Sequence, residues 1–265
     1  MLKLPVASRM SFLYLEKGVL QRDGHALVLA QEDRRTPLPV SATAVLMLGP
    51  GVTVTHAAIA LAASEGTLLL WTGEHGVRLY ASANPRGNAN RLIAQVAAYS
   101  TARTRLAVAR RLHARIFETK PPPRMSVAQL RGLEGSLAKA YYGEQATLVG
   151  IEWGGRSEDL SIPINRALAG ANAALYGLTE AVILALGYSP AIGFIHSGDA
   201  RSFVFDLADT VKFKTVVPLA FKIASETPDA SESTIRKATR DLFHMSNLAQ
   251  TLVDQLDTLF DDCDI

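Results

Sequence analysis

Residues 84–123, NPRGNANRLIAQVAAYSTARTRLAVARRLHARIFETKPPP, divide the chain into two parts with different patterns. Residues 84–87 are of the types that form turns. After them, apolar side chains recur at the spacing of one helix face, and neither glycine nor proline interrupts residues 88–117. We therefore expect one long helix over residues 88–117, ended by the three prolines at 121–123.

The chain before residue 84 has the pattern of β-strands. Apolar-rich runs at residues 12–20 and 25–30 lie on either side of Asp23 and Gly24, a dipeptide typical of hairpin turns. Further short apolar runs, at residues 44–48, 67–71 and 77–80, predict more strands. A short helix is expected between them over residues 55–64, with Thr53 or Thr55 as its N-cap.

The chain after residue 117 is expected to be helical. Ser126 and Gln129 have capping-box spacing and predict a helix that continues through Ala140. Pro163 suits the start of the next helix, and Gly187 suits its end. The whole pattern predicts an α+β fold, with a small β-rich domain over residues 1–84, a linker near residues 81–88 and a larger helical domain over residues 85–265.

Composition excludes several classes of protein. Apolar residues make up 48% of the 265 residues, so the chain is expected to fold into a globular core. A single cysteine, Cys263, excludes a disulfide framework and a cysteine-rich zinc site. The first residues lack a secretory pattern, so we expect a cytoplasmic location. Residues 167–195 are apolar enough to span a bilayer, but we interpret them as a helix buried among other helices and expect no membrane association.

Charge is unevenly distributed along the chain. The net charge is only +2, yet nine basic residues and a single acid, Glu118, lie between Arg86 and Arg124. Such a segment can bind the phosphates of nucleic acid, and it can equally be a solvated helix face.

A cluster of acids and a histidine follows the apolar stretch. Asp206 and Asp209 have the i, i+3 spacing that places two side chains on one helix face, among apolar neighbours that limit their solvation. His196 precedes them in what we expect to be a loop. Two carboxylates on one buried face are tolerable when a cation lies between them, whereas the alternative is a surface acid pair and a structural histidine.

Glu134 is the candidate for a third carboxylate. It lies between Gly132 and Gly135 on a predicted helix, where glycine is costly. We interpret these glycines as permitting close approach by another backbone or by a ligand. Carboxylates with one imidazole favour Mg²⁺ or Mn²⁺ over Zn²⁺, and such an ion can orient an attacking hydroxyl and stabilise phosphoryl charge.

The order of these motifs resembles that of a known family. GFIHSG and FDLAD lie within NAALYGLTEAVILALGYSPAIGFIHSGDARSFVFDLADTVKFKTVVPLAF, residues 172–221. RGLEG at 131–135, RKATRDLF at 236–243 and GPGVTVTHAAIALAASEGTLLLWTGEHGVRLYAS at 49–82 continue the likeness. Together they resemble CRISPR-associated protein one, the adaptation endonuclease and integrase, in its subtype I-E form.

The resemblance implies a fold, partners and a reaction. It implies an N-terminal β-sandwich-like domain, a helical catalytic domain, and homodimers on either side of a dimer of the small companion, CRISPR-associated protein two. Short double-stranded fragments of foreign DNA (protospacers) would be joined to the CRISPR repeat by attack of their 3′-hydroxyls on repeat phosphates. No ATP would be needed, since the reaction is a transesterification.

The resemblance also assigns roles to residues. Metal ligands fall on Glu134, His196 and Asp209, and Asp206 takes the further acidic position of the catalytic set. The resemblance places DNA contacts at six positions, namely Arg78, Arg131, Lys139, Tyr176, Lys212 and Arg236. Two alternatives remain at this stage: a nuclease for branched DNA that uses water as the nucleophile at the same site, and a DNA-binding scaffold without catalysis.

Overall fold

The computed structural model describes residues 10–73, 79–83 and 89–261. Its strands form two four-stranded sheets, with the orders β1-β5-β7-β8 and β4-β3-β2-β6. In the first sheet β5 runs parallel to β1 and β7, and β8 is antiparallel to β7. The strands are β1 (Met10–Leu15), β2 (Gly18–Asp23), β3 (Ala26–Ala30), β4 (Arg35–Leu38), β5 (Thr43–Leu48), β6 (Val52–Val54), β7 (Leu68–Thr72) and β8 (Leu79–Ala83).

Local sequence signals explain two of the connections. β2 pairs with β3 in the register Asp23 to Ala26, and Gly24 in the tight turn between them has φ 59°, which confirms the predicted hairpin. Helix α1 (His56–Glu65) begins after Thr55, whose side chain accepts a hydrogen bond from the backbone N–H of Ala58. The predicted short helix and its threonine cap are therefore confirmed.

Strands β5 and β7 of the first sheet are buried on both faces. Side chains alternate between the faces of a strand, so Leu46 and Leu48 of β5 pack with the second sheet and α1. Val45 and Met47 point the other way and belong to a cluster that includes Ala181 of a long helix from the second half of the chain. This helix therefore forms the third layer over the sheet.

The second half of the described chain is helical. Its helices are α2 (Asn90–Ser100), α3 (Ala102–Phe117), α4 (Val127–Val149), α5 (Pro163–Ala185), α6 (Ser202–Lys212), α7 (Val216–Glu226), α8 (Glu232–Met245) and α9 (Leu248–Asp257). Pro163 begins α5 and the Ser126–Gln129 capping box begins α4, as predicted. A β-sandwich-like region followed by a larger helical region is the predicted α+β fold, which is confirmed.

Two helix predictions are wrong. The single helix expected over residues 88–117 is two helices, because Thr101 is extended, with φ −116° and ψ 146°, and its side chain caps α3 by accepting from the N–H of Thr104. A threonine cap ends one helix and begins the next without glycine or proline. The helix expected to stop near Ala140 continues to Val149, so Gly143 lies within α4 and Gly150, with φ 71°, is the residue that ends it.

Helix α5 is the core helix of the helical region. It is the one helix of the described residues that is long and apolar enough to cross a membrane, and 67% of its most apolar window is buried inside the protein. It packs against α6, α7, α8 and α9 as well as the first sheet. The boundary predicted between residues 84 and 85 lies outside the described residues, and the division into two domains stays a prediction.

Candidate metal centre

Helix α4 carries Glu134 on its buried face. Leu130, Glu134, Tyr142 and Ala146 share this face because multiples of four residues separate them. Only 8% of Glu134 is exposed, although it is charged in water. Apart from adjacent residues and the nearby backbone of α4 itself, no described atom lies within 4 Å of a Cβ placed on Gly132 or Gly135. Within the described chain no other backbone closely approaches these glycines, so the first of the two reasons inferred from the sequence finds no support there.

His196 lies in the loop between α5 and α6, and Asp206 of α6 holds it. One carboxylate oxygen of Asp206 accepts from the backbone N–H of His196 and lies 2.8 Å from its Nδ1. The other oxygen accepts from the N–H groups of Phe194 and Ile195. The carboxylate of Asp206 is thereby saturated and fully buried. Since Asp206 engages Nδ1, the ring presents Nε2 as its remaining ligand atom.

Asp209 lies one turn further along α6 and faces a different neighbour. Its Oδ1 accepts from Nζ of Lys212 at 2.9 Å, and both side chains are more than nine-tenths buried. Burial alone would lower the pKa of Lys212, but Asp209, Tyr176 and Tyr142 raise it above its ordinary value. The ammonium therefore stays charged and balances one of the acids in this region.

Glu134, His196 and Asp209 converge. One ligand atom from each lies within 4.8 Å of the others. Burial, and then the charge of Asp209, raise the pKa of Glu134 from 4.5 to about 7. The hydrogen bond to Asp206 raises the pKa of His196, against the effect of burial. The shift of Glu134 reports the cost of ionising a carboxyl in a poorly hydrated space beside a second carboxylate, whereas the shift of His196 reports the hydrogen bond by which Asp206 favours the charged imidazole.

The residues present fit a divalent cation. Oε2 of Glu134 is buried and makes no hydrogen bond to any described residue, so an acceptor is available in a place where acceptors are normally satisfied. Two carboxylates and one imidazole are within the ligand sets that hard divalent cations accept. The three side chains could therefore hold a divalent metal ion.

The sequence alone did not distinguish the two aspartates of α6. Asp209 reaches Glu134 and His196, whereas Asp206 is used up by backbone N–H groups and the imidazole. Which aspartate is free to reach the centre depends on which of them the loop before α6 packs against. The i, i+3 spacing cannot reveal this. Asp206 thus supports the candidate centre indirectly, by holding the imidazole of His196.

The predicted DNA-contacting residues lie in different settings. Arg131 and Lys139 are exposed on α4, on either side of Glu134. Tyr176 is half-buried and packs edge-on against Phe205 at 5.1 Å between ring centroids. Arg236 lies 3.4 Å from the carboxylate of Glu232. Lys212 is the buried partner of Asp209, and Arg78 lies outside the described residues. Contact with DNA stays a prediction for all six.

Most arginines of α3 donate to backbone carbonyls of other segments. Arg110 donates to the carbonyls of Pro121 and Pro122, Arg111 to that of Leu259, and Arg115 to that of Gln255 at 2.6 Å. Each of these three guanidinium groups therefore uses at least one N–H on the fold itself, and the expectation that this stretch binds phosphates stays a prediction. These groups satisfy carbonyls at the ends of neighbouring segments, which is a common role of arginine.

Comparison with known proteins identifies a family. A family model described as CRISPR associated protein Cas1 matches residues 12–120 and 113–228. The CRISPR-associated endonuclease Cas1 of Geobacter sulfurreducens is 45% identical over 258 residues, covering 94% of this chain and 84% of the relative. The protein of that name from Escherichia coli K12 is 42% identical over 257 residues, with the same two coverages.

A solved structure extends the likeness to three dimensions. The crystal structure of a TtCas1–DNA complex matches with a TM-score of 0.86 at 34% identity, covering 98% of this chain and 100% of that chain. The subtype I-E assignment stays a prediction, whereas the family resemblance found in the sequence is confirmed. This chain belongs to the Cas1 family of CRISPR-associated proteins.

Proposed function

We propose that this chain is a divalent-metal-dependent DNA integrase and endonuclease of CRISPR adaptation. The observation that carries the proposal is the convergence of Glu134, His196 and Asp209, three residues from two helices and a loop, within 4.8 Å. Curated relatives that are 45% and 42% identical bear the name CRISPR-associated endonuclease, which supports phosphodiester chemistry at this centre.

The reaction we propose is the exchange of one phosphodiester for another. The 3′-hydroxyl of a short duplex fragment attacks a phosphate at the end of a CRISPR repeat, a new 3′-oxygen to phosphorus bond forms, and the repeat's own 3′-oxygen leaves as a hydroxyl. The number of phosphodiester bonds is unchanged, so no nucleotide triphosphate is consumed. When bound, Mg²⁺ or Mn²⁺ would supply alignment of the hydroxyl and stabilisation of charge on the phosphoryl oxygen.

The side chains of the centre have separate tasks in this proposal. Glu134, His196 and Asp209 hold the cation, and Asp206 fixes the imidazole so that Nε2 is presented. Lys212 pairs with Asp209 and adds positive charge beside the reacting phosphate. Arg131 and Lys139, exposed on α4, bind the DNA backbone and position it without reading its sequence.

The assembly and location are proposed on the same basis. Double-stranded DNA is the substrate, as the complex of TtCas1 with DNA supports. The active form is a homodimer that works with the small companion, CRISPR-associated protein two, in the cytoplasm. An integration assay with and without that companion, on a labelled short duplex and a supercoiled repeat plasmid, tests this part.

The central experiment compares wild type with His196→Ala. The variant removes one ligand and leaves the exposed basic residues in place, so strand transfer should fall at least on the order of 1000-fold while duplex DNA binds with unchanged affinity. Wild-type integration by His196→Ala would contradict the proposal.

The nuclease alternative uses the same centre with water as the nucleophile. The curated relatives are named endonucleases, which favours hydrolysis as a second candidate reaction. The two reactions differ in products, because strand transfer joins the labelled fragment to the repeat whereas hydrolysis leaves two free ends. Assaying a branched duplex and the repeat plasmid side by side in Mn²⁺ separates them, and a non-catalytic scaffold gives neither product.

A further inference from the structure

His196 lies on a long loop, and its position depends on what holds that loop. Residues 186–201 connect α5 to α6 and contain neither helix nor strand. Loops of this length without secondary structure are uncommon in compact proteins and usually have a function. Their exact path must be fixed by side chains from other elements, since they lack a regular backbone ladder.

Helix α6 fixes the last part of the loop. Asp206 accepts the N–H groups of residues 194–196, as described above, and the N–H of Phe203 donates to the carbonyl of Pro190 at 2.8 Å. Gly193 packs so closely on Ser202 that an added Cβ would lie 2.7 Å from its Cβ and backbone carbon. The loop is pressed against α6 at this point and leaves no room for a side chain.

Helix α2 fixes the first part of the loop through one residue, Gln95. Its Oε1 accepts from the N–H of Ser189 at 2.8 Å, and its Nε2 donates to the carbonyls of Ser189 and Ile192, each at 3.0 Å. Gln95 is fully buried. A buried amide whose acceptor and both donors are all engaged on one loop is a rigid brace, because releasing the loop would leave these polar groups unpaired.

Helix α3 adds a second brace. Nε of Arg105 donates to the carbonyl of Phe194 at 3.2 Å, and its guanidinium lies 4.8 Å from the ring centroid of Tyr99. The carbonyl of Phe194 is thus held from α3 while its N–H is held by Asp206. The segment that leads into His196 is fixed from two sides.

We propose that Gln95 is a positioning residue for His196. Its bonds to Ser189 and Ile192 set the course of the chain four residues before the imidazole, and thereby set how well Glu134, His196 and Asp209 hold their cation together. The inference rests on the proposed function, in which that cation is required. It adds a residue from α2, distant in sequence from the motifs that carry the ligands.

The test is Mn²⁺ binding by the full-length Gln95→Met variant. Methionine has a similar side-chain length, is apolar, and loses all three hydrogen bonds. Residues that orient metal ligands from outside the coordination sphere commonly change metal affinity 10–100-fold, so the dissociation constant for Mn²⁺ in calorimetry should rise about tenfold. In the metal-free protein, the imidazole NMR signals of His196, assigned by their loss in His196→Ala, should shift or broaden.

A matched control separates positioning from general stability. Thr67 is buried and donates to the carbonyls of Val40 and Thr43 in the β-rich region, so Thr67→Val also deletes buried hydrogen bonds to backbone. It should bind Mn²⁺ like wild type and leave the His196 signals unchanged. Gln95→Glu, which keeps the acceptor for Ser189 and loses the donors, serves as the second variant if Gln95→Met does not unfold cooperatively, and the same loss of affinity is expected.

The outcomes distinguish the two proposals. If His196→Ala weakens Mn²⁺ binding but the Gln95 variant has wild-type affinity and wild-type His196 signals, the positioning role is overturned and the proposed function stands. If His196→Ala binds Mn²⁺ as tightly as wild type, the metal site itself is wrong. An equal loss of affinity in Gln95→Met and Thr67→Val would also overturn the positioning role, since the effect would then be a general one.

Discussion

Helices α3 and α4 pack against each other but use their charged side chains in opposite ways. Most arginines of α3 donate to carbonyls of the segments around them, as Arg110 does at Pro121 and Pro122. Helix α4 has fewer cations, yet Arg131 and Lys139 are exposed on it, whereas Glu134 between them in the sequence is buried. Charge counted along a sequence therefore says little about charge available to a ligand.

The same comparison separates stability from function. A guanidinium that satisfies orphan carbonyls at a helix end, as Arg115 does at Gln255 near the end of α9, stabilises the fold. A buried carboxylate without a hydrogen-bond partner among the described residues, such as Oε2 of Glu134, lowers stability in exchange for a ligand atom. Exchanging residues on each helix should therefore affect different measurements.

Glu134→Gln should have the largest effect. Strand transfer should fall on the order of 1000-fold, because one carboxylate ligand is lost. Burial and Asp209 raise the pKa of Glu134 to about 7, so its ionised form is unfavourable in the folded state. In a chelator, the variant should therefore have a free energy of unfolding about 1–3 kcal/mol above that of wild type at pH 8.

The pH dependence of that difference has a definite sign. A carboxyl whose folded-state pKa exceeds its unfolded value binds its proton more tightly when folded, so the cost is absent below pH 4.5, grows as the pH rises and is complete above about 7. Denaturant unfolding of both proteins at pH 5 and pH 8 measures it. A variant less stable than wild type at pH 8, or one with full activity, would contradict this view of α4.

The double variant Arg131→Gln, Lys139→Gln should have the next largest effect. Losing two phosphate contacts should weaken duplex binding on the order of 10- to 100-fold at about 0.1 M salt, and reduce the slope of log affinity against log salt by about 2. Stability should change little, because both side chains are exposed. Fluorescence anisotropy over a salt series measures both quantities.

The matched double variant is Arg111→Gln, Arg115→Gln on α3. It removes the same charge but also the bonds to the carbonyls of Leu259 and Gln255, so the free energy of unfolding should fall by about 1–3 kcal/mol with an unchanged salt slope. If the α3 pair lowered the salt slope and the α4 pair did not, the contrast between the two helices would be reversed.

Thr101→Ala should have the smallest effect. It removes the cap of α3, whose hydroxyl accepts from the N–H of Thr104 at 3.1 Å, and should cost about 1 kcal/mol of unfolding free energy without altering DNA affinity. Ser100→Ala, at the neighbouring exposed position, should cost less than about 0.5 kcal/mol. A Thr101→Ala protein as stable as wild type would mean that α2 and α3 behave as one helix.

Patterns local in the sequence predicted most of the fold. The Asp23–Gly24 hairpin, the cap at Thr55 and the capping box at Ser126 each depend on a few adjacent residues, and each is present. The break at Thr101 was missed because a threonine cap within an apolar helical pattern resembles an ordinary helical residue. The length of α4 was missed because Gly143 is tolerated within a helix that packing stabilises.

The sequence predicted the residues of the candidate centre but not the contacts that hold them in place. Carboxylate and imidazole types, with the family resemblance, selected Glu134, His196 and Asp209. Which aspartate of α6 faces the centre, and that Gln95 braces the loop, both depend on contacts between residues as much as 97 positions apart. No periodicity in the sequence marks such contacts. For the same reason, the sequence could not show that arginines of α3 donate to backbone carbonyls of distant segments.

The most direct test of this account is an anomalous diffraction experiment on crystals of the full chain grown or soaked in Mn²⁺. An anomalous peak is expected between a carboxylate oxygen of Glu134, Nε2 of His196 and a carboxylate oxygen of Asp209, with Asp206 outside the coordination sphere. A peak coordinated by Asp206 in place of Asp209, or the absence of any peak at these three residues while they keep the geometry described, would contradict it.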